Sequence, residues 1–149
     1  MKIENRIFHR NYQELETFEA GVVLSGGEVK SILNNGLKLE GSFVKIIDQE
    51  AILFSAEIMP YKFISQEDYN PVRKRKLLLH KKEIIKLQTK LQGAGKLTII
   101  PIACYTKGRR IKFSIALAKA RGEIGTKRLE KARDIKIDQE REIKEYMKK

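Results

Sequence analysis

The chain has 149 residues, which suits one domain with a modest core and an appended tail. Its 31 Lys and Arg against 19 Asp and Glu give a formal net charge of +12, and charge at this density favours a polyanionic partner over a basic surface that only keeps the protein soluble. The single cysteine excludes an internal disulfide, and since there is neither a long apolar run nor a signal-like start, we expect a cytoplasmic protein that does not enter a membrane.

The N-terminal segment, residues 5–12, is polar and basic and carries two aromatic residues. Its composition leaves two interpretations open, a disordered lead-in or an arm that lies on RNA. His9 has no companion ligand at metal-binding spacing, so we expect no metal site here.

A strand that turns sharply into a helix is predicted over Phe18–Leu33. Apolar, β-branched residues lead to Gly26-Gly27, and Ser25 and Glu28 have the spacing of a capping box. The predicted buried stripe of this helix is the apolar set at helical spacing, Val29, Ile32 and Leu33. The opposite face, which a function would use, carries Glu28, Lys30 and Ser31.

Two strands of a hairpin are predicted next, at Ser42–Ile47 and Glu50–Ser55, joined by Asp48-Gln49. The following stretch, Ile58–Tyr69, contains Pro60 and has no clean periodicity. We therefore expect a loop there, one that a partner could order.

The run Arg73–Lys82 holds six Lys and Arg around a leucine triplet. We expect the leucines to anchor in the core and the cations to remain at the surface, where they would contact RNA phosphates without reading bases. The alternative is a solvated charge run. His80 is expected to start a helix or to contact RNA.

A helix over Lys81–Leu91 and two strands complete the predicted core. In the strand Leu97–Tyr105, Pro101 indicates a bulge or an edge position, and Cys104 is expected to be a small buried residue. Arg110–Ala118 alternates between apolar and polar residues, which predicts one buried and one partly basic face. The pattern favours a mainly β fold, a small closed antiparallel barrel of the oligonucleotide-binding type with two or three packed helices.

A change of composition at Lys119 divides the chain into a barrel RNA-binding domain, residues 1–118, and a C-terminal tail, residues 119–149. Gly122 and Gly125 predict a hinge, and opposite charges recur four residues apart after it. The apolar stripe of the tail, Leu129, Ala132, Ile143 and Tyr146, is thin and interrupted. We therefore expect a basic tail that is disordered alone and helical on a partner.

Two stretches carry a recognisable signature. Gly21–Ser31 reads GVVLSGGEVKS, and Arg75–His80 reads RKLLLH. They resemble the G-x-x-L-x-G-x-E-V-K-S and R-K-L-L-L-[HN] motifs of the small protein B family, the SsrA-binding (tmRNA-binding) proteins of bacterial ribosome rescue. The resemblance implies an oligonucleotide-binding-type barrel with helices packed around it, and it favours an N-terminal arm on RNA.

The resemblance further implies a protein that is not an enzyme and needs no cofactor. It would bind the tRNA-like domain of tmRNA (SsrA RNA) and deliver it to stalled ribosomes for trans-translation. The tail would sense the empty mRNA channel at the decoding centre of the small subunit and become helical on the ribosome. The implied partners are tmRNA, the ribosome and, indirectly, elongation factor Tu, with the protein itself a monomer.

The residues that we expect to bind RNA lie on the motifs, the basic run, the N-terminal segment and one strand turn: Asn5, Arg6, Tyr12, Glu28, Lys30, Ser31, Arg73, Arg75, Lys76, His80, Lys107 and Arg109. The tail residues expected to contact the ribosome are Lys119, Arg121, Lys127, Arg128, Lys131 and Arg133. Four aromatic residues are candidates for stacking on RNA bases: Tyr12, Tyr61, Phe63 and Tyr105. For Glu28 two roles stay open, a helix-cap partner or a hydrogen-bond acceptor for RNA.

The tail departs from the family pattern A-[KR]-G-K-K-x-x-D-K-R. The run Ala118–Arg128 lacks the Gly-Lys-Lys core and the Asp before Lys127-Arg128, and the resemblance resumes at Lys131–Asp134. Our hypothesis is that Arg121, Lys127 and Arg128 contact phosphates in a shifted register.

Two other function classes were weighed. The first is a generic oligonucleotide-binding or ribosome-associated structural protein without specificity for tmRNA. The second, a nucleic-acid enzyme, would need clustered carboxylates, a Cys–His pair or a phosphate-binding loop, and the spacing of Glu67, Asp68, His80 and Cys104 supplies none of these.

Overall fold

The computed structural model describes residues 1–63, 68–93, 95–121, 139, 141–144 and 146. Most of the regular structure in these ranges is β-strand, and a few helices accompany it. The elements in chain order are β1 (Lys2–Glu4), α1 (Phe8–Asn11), β2 (Tyr12–Val22), α2 (Gly26–Leu33), β3 (Leu37–Lys38), β4 (Phe43–Ile47), β5 (Glu50–Phe54), β6 (Glu57–Ile58), β7 (Arg75–Leu78), α3 (Lys81–Gln92), β8 (Leu97–Lys107) and β9 (Arg110–Ala120). The prediction of a mainly β fold is confirmed.

Six strands form a closed ring of antiparallel pairings. The order is β8-β4-β5-β7-β2-β9, and β9 pairs back onto β8. β1 adds to β8 outside the ring, and β3 and β6 form a separate two-stranded sheet. The register of β8 against β9 shifts between Pro101 and Ala103, so the predicted irregularity at Pro101 is a bulge.

The interior of the ring holds the larger of two apolar clusters. Every ring strand contributes to it: Phe18, Val44, Leu53, Leu77, Ile99 and Phe113 come from β2, β4, β5, β7, β8 and β9. Ile32 of α2 and Leu87 of α3, both fully buried, belong to the same cluster. Both helices therefore pack against the ring, and for Ile32 the helical spacing predicted this burial.

A second cluster lies on the opposite face of the same strands. Phe43, Ile52 and Phe54 of β4 and β5 meet Ile100 of β8 and Ala116 and Ala118 of β9. Because successive strand residues point to opposite faces, β4, β5 and the second half of β9 are buried on both sides. The alternating face of β9 predicted to be partly basic is therefore covered around Ala116 and Ala118.

The N-terminal segment is folded onto the ring. Asn5 donates from its side-chain amide to the carbonyl of Pro101 at 2.9 Å and from its backbone to Ile102 at 2.7 Å. Phe8, on the single turn of α1, is fully buried in the second cluster. The interpretation as a disordered lead-in is wrong, because one amide and one phenyl ring tie the segment to β8 and to the outer cluster.

Most predicted element bounds hold, and the short elements are those the sequence did not reveal. The hairpin of β4 and β5 turns at Asp48 and Gln49, both with positive φ (50° and 64°). β1, α1, β3, β6 and β7 were not predicted, since two to four residues are too few to display a period.

Candidate nucleic-acid interface

The junction of β2 and α2 begins the candidate site. Ser25 is the N-cap of α2, and its hydroxyl accepts from the Glu28 amide at 3.2 Å. The Glu28 carboxylate accepts from the Ser25 amide at 2.9 Å, which completes the predicted capping box. The helix therefore starts where the glycine pair and the cap predict.

The buried face of α2 includes Ile32, as predicted, but it extends to residues that were predicted to be exposed. Glu28 and Ser31 are 2% and 4% exposed, whereas Leu33 is 49% exposed and Lys30 lies at the surface. The prediction that Glu28 and Ser31 share an exposed functional face with Lys30 is wrong. The physical reason is that both side chains find buried polar partners on other elements, and such partners cannot be seen in helical spacing.

Glu28 joins the two motifs in space. Its carboxylate pairs with Arg73 at 2.5 Å and with Arg75 at 2.7 Å, across 45 and 47 positions of sequence. The Tyr69 hydroxyl, which donates to the Ile58 carbonyl at 2.9 Å, lies 3.4 Å from the same carboxylate. The start of α2, the segment before β7 and β7 itself are thereby fixed to one carboxylate.

Arg75 is fully buried and uses its whole guanidinium group. Besides Glu28, it donates to the carbonyls of Ala56 and Arg73 at 2.8 Å and to that of Pro71 at 3.1 Å. The Tyr69 hydroxyl accepts at 3.3 Å. Five donors meet acceptors in a planar fork, which is the arrangement that makes a buried arginine tolerable. The expectation that the cations of the basic run stay at the surface is wrong for Arg75.

The ionisation of Glu28 follows from these contacts. Burial alone raises the pKa of this carboxyl group, but hydrogen bonds from Arg73, the Ser25 amide and Arg75 outweigh it. The pKa falls from 4.5 to about 2. Glu28 is therefore ionised, and its negative charge is neutralised inside the protein by Arg73 and Arg75.

Ser31 connects α2 to the loop that follows β6. Its hydroxyl donates to the Met59 carbonyl at 2.6 Å, and its own carbonyl accepts from the Gly36 amide at 2.8 Å. The Gly36 carbonyl accepts from the Met59 amide at 2.8 Å. Ser31 thus holds the loop in place instead of facing a ligand.

The loop after Met59 presents aromatic rings beside cations. Tyr61 and Phe63 meet edge to face at 5.4 Å, and the Lys30 ammonium lies 5.7 Å from the Tyr61 ring. Phe63 is 72% exposed, and an open cleft of about 500 Å³ lies between this loop and α2. Residues 64–67 of the predicted loop lie outside the described residues.

Exposed cations surround this junction. Lys30 projects from α2, the side chain of Arg73 is 44% exposed, and that of Lys76 on β7 is 47% exposed and 3.2 Å from Glu50. His80 is the exposed N-cap of α3, and its amide donates to Glu83 at 3.0 Å, so the helix-start role is confirmed. These groups can contact phosphates from fixed backbone positions.

Other predicted residues lie elsewhere. Asn5 is 7% exposed and occupied with β8, Arg6 is exposed, and Tyr12 stacks on Phe8 at 5.9 Å with its pKa raised by burial. At the turn of β8 and β9, Lys107 pairs with Glu19 at 3.1 Å, and Arg109 is exposed. The contacts that join α2 to β7 include none of these residues.

Tyr105, a stacking candidate, donates to Glu19 at 2.5 Å, and its pKa is raised to about 12 by burial and by that bond.

Only the beginning of the tail set is described. Lys119 is exposed on β9, and Arg121 donates from its amide to the Asn11 carbonyl at 2.9 Å and from its side chain to the His9 carbonyl at 2.7 Å. Arg121 therefore closes the end of α1. Lys127, Arg128, Lys131 and Arg133 lie outside the described residues.

In the part of the chain that is described, no group of three or more His, Cys, Asp or Glu side chains could hold a metal ion. Cys104 is buried as predicted, and burial raises the pKa of its thiol to about 12. No helix among the described residues is long and apolar enough to cross a membrane.

Sequence reasoning missed Arg75 as a buried residue and Tyr69 as its partner. The sequence did contain a signal for this burial, because side chains alternate between the two faces of a strand. Arg75 and Leu77 lie on the buried face of β7, and Lys76 and Leu78 lie on its exposed face. A strand that buries its leucine at one position buries the residue two before it as well.

Comparison with known proteins gives a consistent result. The family described as "SmpB protein" matches residues 2–145. The chain is 44% identical over 144 residues to the SsrA-binding protein of Persephonella marina, covering 97% of this chain and 94% of that protein. It is 45% identical over 142 residues to the SsrA-binding protein of Aquifex aeolicus, covering 95% and 90%. A solved structure described as "tmRNA-SmpB: a journey to the center of the bacterial ribosome" contains a similar chain, with 38% identity, a TM-score of 0.68 and coverage of 84% of this chain and 87% of that one.

Proposed function

This chain belongs to the SmpB family, and we propose that it binds the tRNA-like domain of tmRNA and delivers it to stalled ribosomes for trans-translation. The names of its relatives, SsrA-binding proteins, and the structural neighbour on the ribosome support this function. In this proposal the protein is an RNA-binding monomer of the cytoplasm. It is not an enzyme. It reaches the ribosome together with tmRNA, and elongation factor Tu is an indirect partner.

The observation that carries the proposal is the joining of the two motifs by Glu28, Arg73 and Arg75. These ion pairs join two distant stretches of sequence, α2 and β7, into one rigid junction, which we call the corner. Lys30, Arg73 and Lys76 lie at the surface of this corner. Cations on a rigid corner bind phosphates at a lower entropic cost than cations on a loop.

Among the predicted RNA-binding residues, we assign two roles by exposure. The exposed ones, Arg6, Lys30, Arg73, Lys76, His80, Lys107 and Arg109, would contact RNA directly. The buried ones, Asn5, Glu28, Ser31 and Arg75, and the half-buried Tyr12, which stacks on Phe8, would act through the elements that they hold. Tyr61 and Phe63 stand beside Lys30 and are the stacking candidates that this arrangement favours.

For the fold, the closed ring of six strands supports a barrel of the oligonucleotide-binding type. We divide the chain near Ala120, where β9 ends, two residues beyond the boundary inferred from composition. The tail, including Arg121, Lys127, Arg128, Lys131 and Arg133, would enter the empty mRNA channel of the small subunit and be helical there. Lys119, on the last residues of β9, would contact the ribosome beside the tail.

The test is a salt-titrated binding assay of the full chain with tmRNA, using bulk tRNA as competitor. Replacing Lys30 and Lys76 together by Gln should weaken binding at least tenfold and make the slope of log affinity against log salt shallower by about 1.5 to 2, because two phosphate contacts are lost. Lys96→Gln, at an exposed cation away from the corner, is the matched control and should change affinity less than threefold.

An effect of Lys96→Gln that is at least half the effect of the double variant on the logarithm of the affinity, or equal competition by tRNA, would instead favour the second candidate, a generic oligonucleotide-binding protein. Its supporting observation is the net charge of +12, which by itself produces nonspecific affinity.

A further inference from the structure

The root of the aromatic loop (residues 59–63) is held by two sets of hydrogen bonds. In the first set, the Ile58 amide donates to the Pro71 carbonyl at 2.9 Å, and the Ile58 carbonyl accepts from the Tyr69 hydroxyl at 2.9 Å. In the second set, the Met59 amide and carbonyl are bonded to α2 and to the turn after it. Tyr69 therefore supplies the side-chain bond that holds the root independently of α2.

The Tyr69 side chain is held in turn by the buried ion pair. Its hydroxyl accepts from Arg75 at 3.3 Å and lies 3.4 Å from the Glu28 carboxylate. The segment after Tyr69 is a tight turn, because the Asn70 side chain accepts from the Val72 amide at 3.0 Å. The hydroxyl therefore links the loop to Arg75, a side chain that is fully buried.

The residues beyond the root carry the two aromatic rings of the loop. The Phe63 ring is largely exposed, with the Lys62 ammonium 4.8 Å from its centroid, and the Tyr61 ring has the Lys30 ammonium beside it. Proteins bind single-stranded RNA with aromatic rings that stack on bases and with cations that contact phosphates. Stacking needs each ring at a defined place, so the hydrogen bonds that fix the root bear on the affinity for RNA.

We infer that Tyr69 is a positioning residue for RNA binding, whose hydroxyl fixes the root of the aromatic loop and so holds Tyr61 and Phe63 where they stack on unpaired RNA bases. Without the hydroxyl the Ile58 carbonyl loses this donor, and the loop samples positions in which the rings miss the bases. The apparent affinity then falls by the fraction of molecules whose loop is in place. The stacking rests on the proposed function, whereas the fixing of the root does not.

The fixing of the root is tested by hydrogen exchange of the full chain without RNA, followed residue by residue by NMR. Tyr69→Phe keeps the ring and should speed exchange of the Ile58 and Met59 amides about tenfold, because the root opens more often. Unchanged exchange in β8 and β9 confirms that the variant is folded. Ile115→Val, which removes one buried methyl group inside the ring of strands, is the matched control for lost stability and should leave the two amides as in the parent.

Equal exchange of the two amides in the parent and in Tyr69→Phe would overturn the inference. A gain of the same size in Ile115→Val would also overturn it, since lost stability alone would then explain the effect. No RNA takes part in this experiment, so neither result bears on the proposed function.

The effect on RNA is tested by a double-mutant cycle on the affinity for tmRNA at fixed salt. Replacing Tyr61 and Phe63 together by Leu removes both rings and should weaken binding about tenfold or more. In the parent, Tyr69→Phe should weaken binding about fivefold at an unchanged salt slope, because stacking is impaired and no phosphate contact is lost. In the chain without the two rings it should cost less than about twofold, because both changes act through the same contact.

A loss of the same size in both backgrounds would show that Tyr69 acts apart from the rings, and it would overturn the inference, as would an unchanged affinity of Tyr69→Phe. The proposed function is judged from the parent alone, by the competition with bulk tRNA. Equal competition by tRNA contradicts that function, and the exchange of the Ile58 and Met59 amides then still decides whether Tyr69 holds the loop.

Discussion

At the scale of single residues, Glu28 decides how the candidate site is built. The sequence left two roles open for it, a cap partner or an acceptor for RNA, and the structure adds a third, the counter-ion of a buried arginine. With its side chain 1% exposed, Glu28 has almost no surface to offer to RNA. A buried charge that loses its partner is strongly destabilising, so this residue is a sensitive point of the fold.

Glu28→Gln should lower the free energy of unfolding by about 3 kcal/mol, since Arg75 would remain buried without an anion. Because Glu28 makes no phosphate contact, the salt slope of tmRNA binding by the folded variant should match that of the parent. Urea unfolding and the salt titration measure the two quantities. A variant of unchanged stability that binds tmRNA much more weakly would identify Glu28 as a direct RNA ligand.

The low pKa of Glu28 also predicts a pH dependence. The carboxyl titrates near 4.5 when unfolded and near 2 when folded, so its contribution is fully present above about pH 5 and is lost as the pH falls towards 2. Between pH 6 and pH 3 the parent should lose about 2 kcal/mol more than Glu28→Gln does. Equal acid sensitivity of the two proteins would mean that the ion pairs do not hold Glu28 ionised.

At the scale of elements, regular helices and strands were predictable, and the contacts between them were not. The capping box, the β4–β5 hairpin, α3 and the bulge at Pro101 each have a local cause in a few adjacent residues. The buried face of α2 was mispredicted because its polar partners, Arg75 and Met59, lie 28 or more positions away. Local patterns carry no information about such partners.

The contact between α2 and the loop at Met59 gives a prediction at the scale of elements. A Cβ on Gly36 would lie 2.8 Å from the Ser31 carbonyl oxygen and closer still to the Ser31 hydroxyl. Gly36→Ala should therefore destabilise the protein by about 2 kcal/mol, because backbone must move. Gly26→Ala, where a Cβ meets nothing within 4 Å, is the matched control and should be neutral or slightly stabilising. Equal melting temperatures for the two variants would contradict this packing.

At the scale of the whole molecule, the ring closure makes β8 a central strand with partners on both sides, β1 and β4 at one edge and β9 at the other. The closed topology was favoured by the number of strands and implied by the family resemblance. The second cluster on the outer face was not foreseen, because a strand buried on both faces loses the alternation that marks a surface strand.

Cys104 on β8 reports on the integrity of this ring. It is fully buried and burial raises the pKa of its thiol to about 12, so a thiol reagent should reach it only when the ring opens. The labelling rate should fall with every stabilising condition. In Glu28→Gln it should rise roughly 100-fold, because the open fraction depends exponentially on the free energy of unfolding. Labelling of the parent at the rate of an exposed thiol would contradict the closed ring.

The pairing of Glu28 with Arg75 has a consequence for how such a protein can change over generations. A substitution at either position alone passes through a folded state with a lone buried charge, and selection removes such states. The two positions must therefore change together or stay as they are. Although 46 residues separate them along the chain, we expect substitutions at one position to be accompanied by substitutions at the other.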